Sequence, residues 1–103
     1  MKSSCESDAK VFKALCDPQR LAILEKLRGG EKCVCVLLKD MDIGQSCLSY
    51  HLKVLSESGI VESRQDGKWT YYRLSESGRE NAVTLLRKLT TPTTNRKCDC
   101  CSK

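Results

Sequence analysis

Residues 45–61 read Gln45-Ser46-Cys47-Leu48-Ser49-Tyr50-His51-Leu52-Lys53-Val54-Leu55-Ser56-Glu57-Ser58-Gly59-Ile60-Val61, and the periodicity of this stretch decides the fold. At about 100° per residue, Leu48, Leu52 and Leu55 fall within roughly 60° of one another and form a core face. Ser46, Ser49, Tyr50 and Lys53 cluster on a second face, with Gln45 at its N-terminal edge. That second face has hydroxyls, an amide and a cation but no aliphatic side chain, and such groups contact base edges and phosphates. A solvated helix face has the same composition, so the neighbouring segments must decide between the two readings. Helix is expected over Ser46 to Ser56, ended by Ser58-Gly59.

Upstream, Asp42-Ile43-Gly44-Gln45 reads as a short turn. Before it, Val34, Leu37, Leu38 and Met41 recur at helical spacing and predict a third helix from Glu31 to about Asp40. Two helices joined by a tight glycine-containing turn make a helix-turn-helix, which favours the nucleic-acid reading of the polar face. Further back, Ala9, Phe12, Lys13 and Cys16 predict a short first helix over Ala9 to Leu15, after a loosely ordered arm at 1–8. Asp17-Pro18 supplies an N-cap followed by proline at the first helical position of a second helix. There Leu21, Leu24, Leu27 and Arg28 mark one face, Ile23 widens it, and Gly29-Gly30 is the stop.

Downstream, Ile60 to Arg64 and Trp69 to Leu74 are β-prone runs flanking Asp66-Gly67, a hairpin signal whose turn calls for positive φ at both positions. Arg64 and Lys68 flank the tip, within reach of DNA phosphate, though hairpins also carry such charges for solubility. Trp69, Tyr71 and Tyr72 are expected in the core or in strand pairing. Ser77-Gly78-Arg79-Glu80 fits a capping box for a fifth helix, which Val83, Leu85, Leu86 and Leu89 make apolar and Pro92 stops. That helix has more aliphatic surface than so small a core can cover, so it is expected to make a dimer contact, together with the first helix. The expected fold is mainly α with a β-hairpin: a winged helix-turn-helix of about five helices and a two-stranded wing. It would occupy 9–91, between the arm and a cysteine-containing tail at 92–103.

Eight cysteines stand at 5, 16, 33, 35, 47, 98, 100 and 101 of 103 residues. With no apolar run long enough for a membrane span and no secretory leader pattern, a cytoplasmic location is expected, where thiols serve as metal ligands or redox groups rather than disulfides. The net charge of +5 permits nucleic-acid binding without demanding it, because Lys53, Arg64, Lys68 and Arg73 are offset by Glu57, Glu62 and Asp66 across the helix and hairpin. A single histidine and no phosphate-cradling glycine loop leave nucleophilic catalysis, including cysteine-based arsenate reduction, without support. His51 lies toward the core edge, where a structural hydrogen bond or a phosphate contact outweighs metal ligation. Cys16 and Cys47 are expected to be small buried hydrophobes.

Glu31-Lys32-Cys33-Val34-Cys35 places two thiols just upstream of the reading helix. On a regular helix residues i and i+2 point about 200° apart, so both can reach one ion only if the helix starts there or unwinds. Binding would then distort the first turn of the helix that supports Ser46 to Ser56. A soft ion that takes three sulfurs would need a further thiol, from Cys16, Cys47 or the tail, and Cys98, Cys100 and Cys101 could also bind one ion by themselves.

The order of elements, the pattern Gln45-Ser46-x-x-Ser49-x-His51-Leu52-x-x-Leu55-x-x-x-Gly59-Ile60-Val61, and Gly67-Lys68-x-x-x-Tyr72-Arg73-Leu74 together resemble the ArsR/SmtB family of metal-responsive repressors, over roughly Phe12 to Leu74. Cys33-Val34-Cys35 resembles the metal-binding box of its arsenic and cadmium/lead sensors; trivalent arsenic generally takes three sulfurs, and the N-terminal thiols of the cadmium/lead members imply Cys5 of a partner subunit as a further candidate for the third. The resemblance implies a non-enzymatic homodimer on a palindromic operator, released when a thiophilic ion binds. Arsenic(III) or antimony(III) is the expected inducer, with no organic cofactor; cadmium or lead sensing and a thiol redox switch are the alternatives. Val36 stands where the box usually has an acidic residue, and Leu38 where some arsenic sensors place a third thiol. From Gly78 to Thr91 there is no His and no Asp, so the zinc-type site of that family's last helix is not expected. The implied metal ligands are Cys33, Cys35, Cys98, Cys100 and Cys101. The implied DNA contacts are Gln45, Ser46, Ser49, Tyr50, His51, Lys53, Arg64 and Lys68.

Overall fold

A computed structural model of the chain describes residues 4–93. In order the elements are α1 (Ser4–Ala14), α2 (Pro18–Leu27), β1 (Lys32–Cys33), α3 (Val34–Asp40), α4 (Gln45–Ser58), β2 (Val61–Asp66), β3 (Trp69–Leu74) and α5 (Glu76–Thr90). This is a winged helix-turn-helix, as the periodicity predicts, with a third strand that it does not. The antiparallel sheet runs β1-β3-β2, with Lys32 opposite Tyr72 and Cys33 opposite Tyr71. Two residues are too few to show a period, so β1 is invisible until β3 is there to pair with it.

The core forms where α4 crosses the other helices. Leu48, Leu52 and Leu55 are buried to within 1% of full and pack with Ile23, Leu27 and Leu37. Asp17 caps α2, its carboxylate accepting from the backbone N–H of Gln19 and Arg20 at 2.8 and 3.3 Å. Burial alone would raise its pKa, but those two bonds outweigh it and hold the carboxyl below its ordinary value. Gly59, at φ 86°, ends α4 in the left-handed region, where a side chain would be strained.

Several local expectations change. The first helix begins at Ser4, so Cys5 lies inside it rather than in a loose arm. The buried face of α2 is Ile23, Leu27 and Arg20, whereas Leu21 is 46% exposed. At the hairpin, Asp66 still pairs with Trp69, leaving Gly67-Lys68 as the two-residue loop. Gly67 has φ 65° while no non-glycine residue among those described has positive φ, so one glycine at the first turn position suffices. The α5 cap is Ser75, two residues before the expected Ser77; its hydroxyl accepts from Gly78 N–H at 3.0 Å, and Gly78 rather than a glutamate stands third in the helix. Trp69 is half exposed rather than buried.

On the far side, Leu15, Leu21 and Leu24 face Leu74, Ala82 and Val83 across a groove of about 830 Å³. Val83, Leu86 and Leu89 of α5 stand about half exposed, and of this helix only Leu85 is buried.

Candidate functional site

Cys33 and Cys35 straddle a change of backbone conformation. Cys33 ends β1 at φ −73° and ψ 146°, in the N-cap position of α3, and Cys35 lies in the first turn. The helix therefore starts between the two thiols, which removes the divergence expected of a regular helix. Their sulfurs stand 3.0 Å apart, with the Cys35 thiol donating to Cys33. That bond, reinforced by the amides of Cys35 and Val36 at the start of α3, holds the Cys33 thiol below its ordinary pKa despite burial. The same bond, together with burial, raises Cys35. Of the two sulfurs, Cys33 is therefore the one that gives up its proton more readily. No unwinding of α3 is needed to bring the sulfurs together.

The thiols open onto a cavity of about 460 Å³ between α3, α4 and β3. Gln45, Ser49 and Lys53 of α4 line it, with Lys68 of the hairpin loop and Trp69, Thr70 and Tyr72 of β3. The cavity thus brings both central thiols together with three residues of the polar α4 face and the wing. Trp69, Thr70 and Tyr72 have no obvious signal in the sequence as cavity wall; β1 must pair with β3 before they come beside the thiols. Ser46 and Tyr50 are exposed on the same polar face.

His51 is placed differently. It is 6% exposed and its ring is held on both nitrogens. Arg20 Nη1 donates to Nδ1 at 2.9 Å, and because a guanidinium can only donate, Nε2 carries the proton and donates to Gln19 Oε1 at 3.0 Å. Arg20 also donates to the carbonyls of Ala14 and Lys13, at 3.3 and 3.1 Å. This buried network fastens α4 to α1 and α2, which is the structural role for His51 and not a phosphate contact.

Arg64 likewise departs from expectation. Its guanidinium forks onto Glu31, with Nε and Nη2 each 2.8 Å from a carboxylate oxygen, and it lies 4.6 Å from the centroid of the Tyr71 ring. The fork holds the Glu31 carboxyl below its usual range. Arg64 therefore ties the wing to the segment entering the thiol pair, with its side chain still about half exposed. Lys68 stays exposed at the tip.

Among the described residues, no other cysteine joins the pair in a metal-holding group. Cys16 and Cys47 are exposed rather than buried, and Cys5 is exposed on α1. No group of three or more His, Cys, Asp or Glu among the described residues could hold a metal ion. Cys98, Cys100 and Cys101 lie outside the described residues. None of the described helices is long and apolar enough to cross a membrane.

Comparison with known proteins agrees with this geometry. The sequence profile of the arsR family of bacterial regulatory proteins matches residues 17–63. An uncharacterized HTH-type transcriptional regulator of Methanocaldococcus jannaschii is 35% identical over 82% of this chain and 96% of its own length. The arsenical resistance operon repressor of Staphylococcus aureus is 34% identical over 87% of this chain and 85% of its own. Among solved structures, one described as a "Possible transcriptional regulator for arsenical resistance" superposes with a TM-score of 0.70 at 31% identity, covering 78% of this chain and 83% of that one.

Proposed function

Since the chain belongs to the arsR family of bacterial regulatory proteins, whose fold and members are DNA-binding transcriptional regulators and not enzymes, we propose that it is a metal(loid)-responsive repressor released from its operator by trivalent arsenic or antimony. The observation that carries the reading is the cavity lined at once by Cys33 and Cys35 and by Gln45, Ser49 and Lys53 of the polar α4 face.

A homodimer sets one α4 per subunit into the major groove, at half-sites about one helical turn or a multiple of it apart. Gln45, Ser46, Ser49, Tyr50 and Lys53 then face bases and phosphates, and Lys68 reaches the backbone from the wing. His51 supports α4 from behind. The half-exposed Val83, Leu86 and Leu89 of α5 support a dimer contact there.

Cys33 and Cys35 are the sulfurs that hold the inducer, each bound as thiolate. They suit a soft ion, which thiolates select over oxygen donors. The arsenical repressor among the relatives supports arsenic in particular. A ligand favours release only if it binds the released conformation better. Two connections supply that difference: the cavity wall shared with α4, and the strand pairing through which Cys33 meets β3 and the wing. The tail thiols at 98, 100 and 101 are candidates for completing the coordination or for a second ion.

The 3.0 Å sulfur separation and the lowered pKa of Cys33 also favour a thiol redox switch, which would respond to peroxide in metal-free buffer. Cadmium or lead sensing differs only in the ion. A gel-shift titration of operator release by arsenite, antimonite, cadmium, lead and peroxide tests all three. It is repeated with Cys33 and Cys35 replaced by Ser and, separately, with the three tail cysteines replaced. Arsenite release that is lost with the first pair, while DNA binding is retained, is the expected result. Arsenite release that survives it and is lost with the tail overturns the assignment to the pair.

A further inference from the structure

Trp69 is expected from the sequence in the core or in strand pairing, yet 50% of it is exposed. It is the chain's single tryptophan and the first residue of β3, directly after the Gly67-Lys68 loop of the wing. In the cavity between α3, α4 and β3 it stands with Gln45, Ser49 and Lys53 of α4 and with Lys68. From this placement we infer that the cavity is a cleft for one sugar–phosphate strand of duplex DNA, with the Trp69 indole packed on deoxyribose and Lys53 and Lys68 holding phosphates. The inference rests on the reading of α4 as the DNA-facing helix and adds to it a contact surface that helix and wing make together.

Three observations carry it. The first is charge. Two lysines line the cleft and no aspartate or glutamate does, whereas the groove between α2 and α5 has Glu25 and Glu76 in its wall. Asp66, directly across the hairpin from Trp69, is not part of the lining and is engaged with Arg64 at 3.8 Å. The second is position. With α4 in a major groove, the wing beside it meets the flank of that groove, where a backbone strand separates it from the narrower minor groove. A concave surface between helix and wing straddles that strand. The third is the chemistry of the lining. A sugar–phosphate strand alternates a charged acceptor with a C–H surface, and the cleft has a counterpart for each. The ammonium groups attract phosphate, Gln45, Ser49 and Thr70 supply hydrogen-bonding groups, and the indole adds an apolar face with an N–H that can only donate.

A contact of this kind has no sequence information, because sugar and phosphate are the same at every step. Trp69 therefore adds to affinity for the duplex, and the base-facing side chains of α4 supply the discrimination. It also acts without releasing counterions, since the indole is uncharged. Half of an indole is about 100 Å² of mostly apolar surface, and covering about half of that corresponds to roughly tenfold in affinity.

The test uses the full chain and a duplex of about three helical turns that the chain itself selects from a random-sequence library. Saturation with this duplex should shift the Trp69 emission to shorter wavelength, as water is displaced from the ring. Trp69→Ala should weaken binding by about tenfold for each subunit on the DNA and leave the slope of log affinity against log salt unchanged. Trp69→Phe, which keeps an aromatic face, should come within about threefold of the wild type. Lys68→Ala should reduce the salt slope by about one. Unshifted emission at saturation overturns the inference, as does a Trp69→Ala chain that binds unchanged. A Trp69→Ala chain whose slope falls as in Lys68→Ala also overturns it, because the ring would then act only by holding the wing in place. Ser49→Ala combined with Tyr50→Ala separates the two readings. If that variant weakens binding where Trp69→Ala does not, the cleft falls and the DNA-facing role of α4 stands. If neither weakens it, or the chain selects no duplex, the reading of α4 falls with the cleft.

Discussion

Replacing Gly78 by Ala should destabilise the domain, against the usual sign for glycine to alanine in a helix. Gly78 is the third residue of α5, where that helix is seated on the end of α4. An added Cβ would lie 2.6 Å from the carbonyl carbon of Gly59 and 3.1 Å from Cα of Ile60, and closer still to the Gly59 oxygen. Ordinary carbon contacts begin at about 3.5 Å, so the two backbones must part by about 1 Å. No side chain can rotate away, because every atom met is main chain. Overpacking of this kind costs about 1–3 kcal/mol, and the rigid neighbours place it near 3; better helix propensity returns up to about 1. A net loss of about 2 kcal/mol lowers Tm by roughly 8–16 °C in a domain of this size. Thermal unfolding by circular dichroism, at one fixed protein concentration because self-association would make Tm depend on it, measures the change. Gly29→Ala is the internal control. Its Cβ would meet Lys32 Nζ at 3.6 Å and Lys26 O at 3.8 Å, both ordinary contacts, so its stability should change by less than about 0.5 kcal/mol. A Gly78→Ala protein as stable as the wild type would refute the seating of α5 on the α4 terminus.

Three further outcomes follow from the same geometry. Cys35→Ala removes the donor that favours the Cys33 thiolate, so the Cys33 titration, followed by thiolate absorbance, should move up toward an ordinary thiol; an unchanged midpoint means the two sulfurs do not meet in solution. The Glu31 carboxyl is held low by Arg64, so its tie to the wing should be complete at and above the ordinary carboxylate range near pH 4 and be lost only as pH falls through the lowered value. The Arg64 Nε–H resonance reports this: it should persist through that range in the wild type and shift at every pH in Glu31→Gln, and a wild-type transition at the ordinary carboxylate pH would mean an open fork. Leu86→Glu with Leu89→Glu should give a folded monomer by analytical ultracentrifugation, since both side chains are about half exposed in the single chain; an unweakened dimer would move the contact away from α5.

The helix-turn-helix, the wing and the two faces of α4 were all determined by the sequence alone. Each rests on a local period or a local backbone preference: Leu48, Leu52 and Leu55 recur at helical spacing, and Gly67 and Gly59 permit their turns without reference to anything distant. The thiol pair was also visible as a pattern, but its geometry was not. Helical spacing alone sends residues 33 and 35 to opposite sides. Only the pairing of Lys32–Cys33 with β3 ends the extended backbone between the two residues, starts α3 there and brings the sulfurs to 3.0 Å. The same long-range pairing sets Trp69 and Tyr72 beside the thiols. Tertiary contacts also gave His51 and Arg64 partners that the sequence does not show, since Arg20, Gln19 and Glu31 lie 31 to 33 positions away in the chain and no spacing rule reaches that far.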